Sequence, residues 1–99
     1  MKHIIFGKTQ QRARYELEKI YDSLDKDLIM KYVKNPSSSY IRLKNDDLYE
    51  TRGASDSARG CKCDKAFVDL TIDKDIIHKI IIPCLCASKL PDSEQIEYY

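Results

Sequence analysis

Three groups of residues have types and spacings that could do chemistry. Gly7-Lys8-Thr9 follows the β-branched run His3-Ile4-Ile5-Phe6 and precedes an amphipathic stretch. A lysine at a strand-to-helix turn suits an anion, because the first helical amides and an ammonium group both favour negative charge. Asp69 closes a second apolar run, Ala66-Phe67-Val68, and can present a carboxylate to a divalent cation. Cys61, Cys63, Cys84 and Cys86 form two Cys-x-Cys pairs, and four thiolates are what a tetrahedral zinc ion takes. Zinc knuckles more often space their ligands by two residues. In an extended Cys-x-Cys both side chains face one side of the chain, as two small buried residues also would. Buried or edge thiols are therefore the first expectation and zinc the second, so no cofactor other than that zinc is expected.

The remaining polar residues give weaker signals. His3 and His78 are far apart in sequence, and neither sits in a recognisable motif with a serine or cysteine. Cys61 and Cys63 lie among Arg59, Lys62 and Lys65, a basic setting that lowers thiol pKa, but no base partner accompanies them. Asp73 and Asp75 flank a helix start, where the helix dipole explains them without a metal. Arg42 and Lys44 share a hairpin face, and Arg52, Arg59, Lys62 and Lys65 frame a polar loop. With Tyr40 and Tyr49 nearby, hairpin and loop could contact phosphates and stack on bases. The competing reading is a solvated face balanced by Asp46, Asp47, Glu50 and Asp56.

Composition sets the outer limits. With 99 residues, the chain suffices for one domain with a single modest core. Hydrophobic residues make up 42% and charged residues 33%, a globular rather than disordered mixture. Seventeen basic against 16 acidic residues leave a net charge of +1, so no global field draws the protein to nucleic acid or membrane. No apolar stretch approaches the roughly 20 residues that cross a bilayer. No secretory core precedes the first polar residues, and a cytoplasmic protein (host cell cytosol) is expected. In that reducing compartment the cysteines stay out of disulfides. Seven tyrosines without a tryptophan suit a protein-binding surface.

These groups need elements to position them. Strands are expected near residues 3–6, 40–44, 48–52 and 66–70. Thr9 caps a helix whose stripe Ala13, Leu17, Ile20, Leu24 and Leu28 carries it from about residue 10 to 33, ending before Asn35-Pro36. Asp46 and its neighbours turn a hairpin. Ile76, Ile77, Ile80 and Ile81 mark a second, short helix stopped by Pro83. Residues 85–90 offer a short strand, and residues 91–99 read as a peripheral acidic tail. The expected fold is a single α/β domain: about four strands covered by one long and one short helix, with strands 3–6 and 66–70 as parallel neighbours.

The order strand, Gly-Lys-Thr, helix, hairpin, Ala58-Arg59-Gly60 turn, and apolar strand ending in Asp69 resembles a shortened phosphate-binding-loop ATPase core, most similar to that of phage terminase large subunits. The resemblance is spread thinly over residues 4–85. It implies that Gly7, Lys8 and Thr9 hold phosphates and magnesium, and that Asp69 holds the metal through water. Two positions depart from the pattern. The full loop has a glycine five residues before its Gly-Lys, where this chain has Lys2, and the residue after the aspartate is usually a glutamate, where this chain has Leu70. A bare strand-to-helix turn with a capping threonine accounts for Gly7-Lys8-Thr9 as well. The expected function is therefore that of a small non-catalytic phage or prophage accessory protein. It binds a protein or nucleic-acid partner, inhibitors of host defence systems being of this type, through Arg42, Lys44, Tyr49, Arg52, Arg59 and Lys62. A zinc-stabilised interaction module and a residual nucleotide binder or NTPase are the alternatives, and a homodimer is a further option.

Overall fold

Ile4, Ile5 and Phe6 are consecutive and all fully buried, which requires a strand covered on both faces. In the computed structural model, which describes residues 1–36, 38–54 and 61–99, that strand is β1 (Lys2–Gly7). It pairs in parallel with β4 (Leu48–Gly53) on one side and β5 (Lys65–Val68) on the other. Beyond β4 lie β3 (Tyr40–Leu43) and β2 (Ile29–Val33), both in antiparallel steps. Beyond β5 lies β6 (Ile96–Tyr98), parallel to it. The described residues thus form one mixed sheet in the order β2-β3-β4-β1-β5-β6.

Alternation along the strands sorts side chains to two cores. On one face Ile5, Ile41, Leu43 and Phe67 pack under Ala13 and Leu17 of α1 (Gln10–Ser23), which lies across β1 and β4. On the other, Ile4, Phe6, Ala66 and Val68 pack under Ile77, Ile80, Ile81, Cys84 and Leu85. All but Leu85, which follows it, come from one helical run: α2 (Lys74–Ile76), a π-helical turn (Ile77–Ile81) and α3 (Ile82–Cys84). The π turn has a local cause. Pro83 has no N–H to close the ordinary bond to the preceding turn, and Ile82 donates instead to the Ile77 carbonyl five residues back. A short α4 (Asp92–Gln95) leads into β6.

The parallel β1/β5 pair and the β3/β4 hairpin match the expectation. A second helical element is present, but it runs through Pro83 to Cys84 instead of stopping at the proline, because the π turn before it absorbs the missing N–H. Three other elements do not match. The long helix stops at Ser23 rather than near residue 33. Leu24 leaves helical geometry, and the Lys26 ammonium donates to the carbonyls of Tyr21 and Leu24 that the helix end exposes. Asp25 then caps a 3₁₀ turn (Lys26–Leu28), and Ile29–Val33 pairs with β3 as an additional strand. Residues 85–90 form turns rather than a strand. Residues 91–99 are not a loose tail: β6 hydrogen-bonds along β5, and the Tyr99 hydroxyl donates to the Phe6 carbonyl at 2.8 Å. The sheet has six strands among the described residues rather than about four.

Candidate functional site

The chain leaves β1 over one face of the sheet through α1, and leaves β5 over the other through the helical run. The carboxyl ends of β1 and β5, at Gly7 and Asp69, are therefore the topological switch point where open α/β sheets hold ligands. The sequence brings Gly7, Lys8, Thr9 and Asp69 to this one place. Thr9 caps α1, its hydroxyl accepting from the Arg12 amide at 3.3 Å. Gly7 is required by close approach: a Cβ there would lie 2.5 Å from the Thr9 carbonyl oxygen and 2.6 Å from the Ala13 nitrogen. The first turn of α1 thus rests directly on the end of β1.

Asp69 is fully buried, and its carboxylate is crowded with donors. Oδ2 accepts from Arg12 Nε at 2.7 Å and the Lys8 amide at 3.2 Å. Oδ1 accepts from Arg12 Nη2 at 3.1 Å and from both the amide and the hydroxyl of Thr71 at 2.9 Å. A carboxylate offers about four lone-pair sites, and five donors already share them. Burial alone would raise the pKa of Asp69, but the Arg12 guanidinium, Thr71 and the Lys8 amide outweigh it and hold the carboxyl well below the usual range. This carboxylate clasps the β1–α1 turn to the end of β5. The next side chain, Leu70, is 70% exposed and carries no base. Beside the clasp is a cleft of about 150 Å³ lined by Lys8, Ala54, Thr71, Ile72, Asp73 and Ile76.

The second place of interest is the back of β2, β3 and β4. The helical run packs over β1 and β5, and Lys31, Val33, Tyr40, Arg42, Leu48, Glu50 and Arg52 point away from α1 on half-buried or exposed positions. Lys2 joins them from β1, in register with Leu48. Glu50 lies between Lys2 Nζ at 3.2 Å and Arg52 Nη2 at 3.8 Å. Lys31 and Arg42 stand in register on adjacent strands, just past an irregularity in the pairing between Ile29 and Lys31. At one end of this face Tyr40, Glu50 and Arg52 share a cleft of about 360 Å³ with Gln10, Ser39 and Thr51.

The other expected contact residues scatter. Tyr49 is on the α1 side, not with Arg42 and Arg52; its ring stacks on His3 with centroids 4.1 Å apart and 4° between planes. Burial raises the pKa of Tyr49 and lowers that of His3, whose Nδ1 lies 3.1 Å from the Leu48 carbonyl oxygen. Lys44 is exposed just past β3. Lys62 lies near Lys2 around a small cleft, and its ammonium donates to Cys86 Sγ at 3.5 Å. Arg59 and Gly60 lie outside the described residues. Sequence reasoning missed Arg12 and Thr71 at the clasp and Lys2 and Lys31 on the open face. The Arg12–Asp69 pair spans 57 positions and has no local signal.

The cysteines meet across the second core. The Cys63 amide donates to the Cys84 carbonyl at 2.9 Å, both side chains are buried, and Cys61 packs against the same cluster while Cys86 is exposed. Cys84 Sγ donates to the Ile80 carbonyl at 3.1 Å. Burial pushes the Cys63 thiol up to about 12 and raises that of Cys84, so both are held as neutral thiols. Among the described residues no group of three or more His, Cys, Asp or Glu side chains is arranged to hold a metal ion. None of the helices in the described residues is long and apolar enough to cross a membrane. Comparison with protein-family models, with curated proteins and with solved structures finds no match.

Proposed function

We propose that this protein is a small non-catalytic binding domain of the phage or prophage accessory type, with a protein or nucleic-acid partner and inhibition of a host defence system as its role. One observation carries the non-catalytic reading: the Asp69 carboxylate already accepts from Arg12, Thr71 and Lys8. A magnesium-bound water would have to displace charge-assisted hydrogen bonds to reach it. Leu70, where a water-activating carboxylate would help, supports the same reading. The open face of β2–β4 supports a binding role, because among its described residues four cations share it with one carboxylate and two of them, Lys31 and Arg42, are in register with each other.

The test is phosphate release from ATP and GTP with magnesium, run beside titration calorimetry of each nucleotide. No turnover is expected, and Lys8→Ala should leave partner binding intact. Steady phosphate release, abolished by Asp69→Asn and by Lys8→Ala, would overturn the proposal and put the nucleotide-hydrolase reading first.

A further inference from the structure

We propose that the open face of β2, β3 and β4 binds single-stranded nucleic acid, with Lys31, Arg42, Arg52 and Lys2 meeting phosphates and Tyr40 stacking on a base. This names the partner within the binding-domain reading above and rests on it.

Charge complementarity carries the assignment. Among the described residues of this face, four cations accompany one carboxylate, Glu50. Lys31 and Arg42 are in register across a strand pair, where an opposite charge would have stabilised the sheet. A polyanion supplies the opposite charge to both. Spacing agrees: Arg42 is in register with Leu48, and Arg52 lies four residues further along β4, about 13 Å at the usual strand rise. About two or three nucleotides of an extended strand cover that distance. Tyr40 lies between the two arginines, in register with Glu50 and at the rim of the larger cleft, where Ser39, Gln10 and Thr51 place amide and hydroxyl groups. An aromatic ring on an open sheet face offers a platform for an unstacked base, which a single strand presents and a duplex does not. The net charge of +1 means that attraction is local, so affinity is expected to be modest and salt-sensitive.

Fluorescence anisotropy with a labelled thymidine oligonucleotide of about ten nucleotides tests this. Binding should fall with salt, with a slope of log K on log salt of about −3, as expected for about four contacted phosphates. Arg42→Glu should weaken binding at least ~10-fold and flatten that slope. Tyr40→Ala should weaken it roughly tenfold with the slope unchanged, and Tyr40→Phe should restore it. Lys19→Glu, on exposed α1 across the sheet, is the control. Arg42→Gln is the milder variant should the charge reversal fail to fold. Failure of the wild type to bind the oligonucleotide overturns the assignment. So does equal binding of duplex, heparin or polyglutamate with Tyr40→Ala silent, since any polyanion would then serve. Either result leaves the binding-domain reading standing, whereas phosphate release from ATP removes that reading itself.

Discussion

At the carboxyl end of β5 the buried charge of Asp69 is met by Arg12, by Thr71 twice and by the Lys8 amide, while on the back of β2 and β3 two cations stand opposite each other. The first arrangement completes itself within the chain. The second leaves two like charges in register, and the proposed nucleic-acid partner would complete it. The switch point resembles a catalytic centre in residue types, yet its groups are held by one another and fix a turn. The open face has no motif; Glu50 answers Lys2 and Arg52, while Lys31 and Arg42 stand in register without a carboxylate between them among the described ion pairs. Residue identity alone does not separate the two cases; what each charge already touches does.

Removing the clasp should give the largest effect. Asp69→Ala leaves the Thr71 and Lys8 amides without their buried acceptor, and a loss of about 3 kcal/mol is expected in urea unfolding. Gly7→Ala should follow at about 2 kcal/mol, because the added methyl meets backbone atoms that cannot yield like a flexible side chain. A change of less than about 0.5 kcal/mol in either variant would mean that the end of β1 is looser than the contacts imply. Lys8→Ala, which keeps the amide that Asp69 uses, should stay within about 0.5 kcal/mol of wild type.

Acid sharpens the same contrast. The pKa of Asp69 is lower in the folded chain than in the unfolded one, so the unfolded state binds more protons between the two values. Its stabilisation is fully present above the ordinary carboxylate pKa of about 4 and is lost as pH falls below it. The depressed pKa of His3 has the same sign at higher pH: stability should decline as pH drops below about 6.5, where the unfolded imidazole gains its proton first. Unfolding midpoints measured across this range should show both steps, and Asp69→Asn should shrink the lower one to what Asp47, held down by the N-terminal ammonium, contributes.

Much of the fold was legible because β1 and β5 announce themselves as apolar runs and the hairpin alternates around a turn whose Asp46 takes a positive φ of 72°. The end of α1 was not. Leu24 and Leu28 continue the helical spacing by coincidence: Leu24 still packs on the α1 core, but Leu28 is exposed, and Ile29 and Tyr32 reach that core from a strand. Residues 91–99 look like a tail because Asp92, Glu94 and Glu97 hide the contribution of Ile96 and Tyr99, which depends on contacts with β5 and β1. The site was legible as a list of residues and not as an arrangement. Gly7, Lys8, Thr9 and Asp69 do converge, but Arg12 decides what they do. Assigning residues 29–33 to helix also removed Lys31 from the strand on which it is in register with Arg42.

The smallest effects belong to the open face and the thiols. Arg42→Glu should stabilise the fold by about 0.5 kcal/mol by converting a like-charge pair into an attractive one, even as it weakens oligonucleotide binding. A destabilised Arg42→Glu would show that the arginine serves the sheet, and the contrast between the two regions would collapse. Iodoacetamide should label exposed Cys86 in the folded protein, and Cys63, with its thiol held near 12, only at the rate of unfolding. Rapid labelling of Cys63 would mean that the second core opens locally.

The position of β1 has a consequence for the order in which the chain assembles. Its two partners, β4 and β5, begin at Leu48 and Lys65, and both join it in parallel, a geometry that no short turn can close. The hairpin and α1 can form from local contacts, but the most buried strand must wait for residues made much later. Until then Ile4, Ile5 and Phe6 are an unsheltered apolar strand, a segment prone to associate with its own kind. A nascent chain halted before Lys65 is therefore expected to need a chaperone, and one extended past Val68 to collapse around β1.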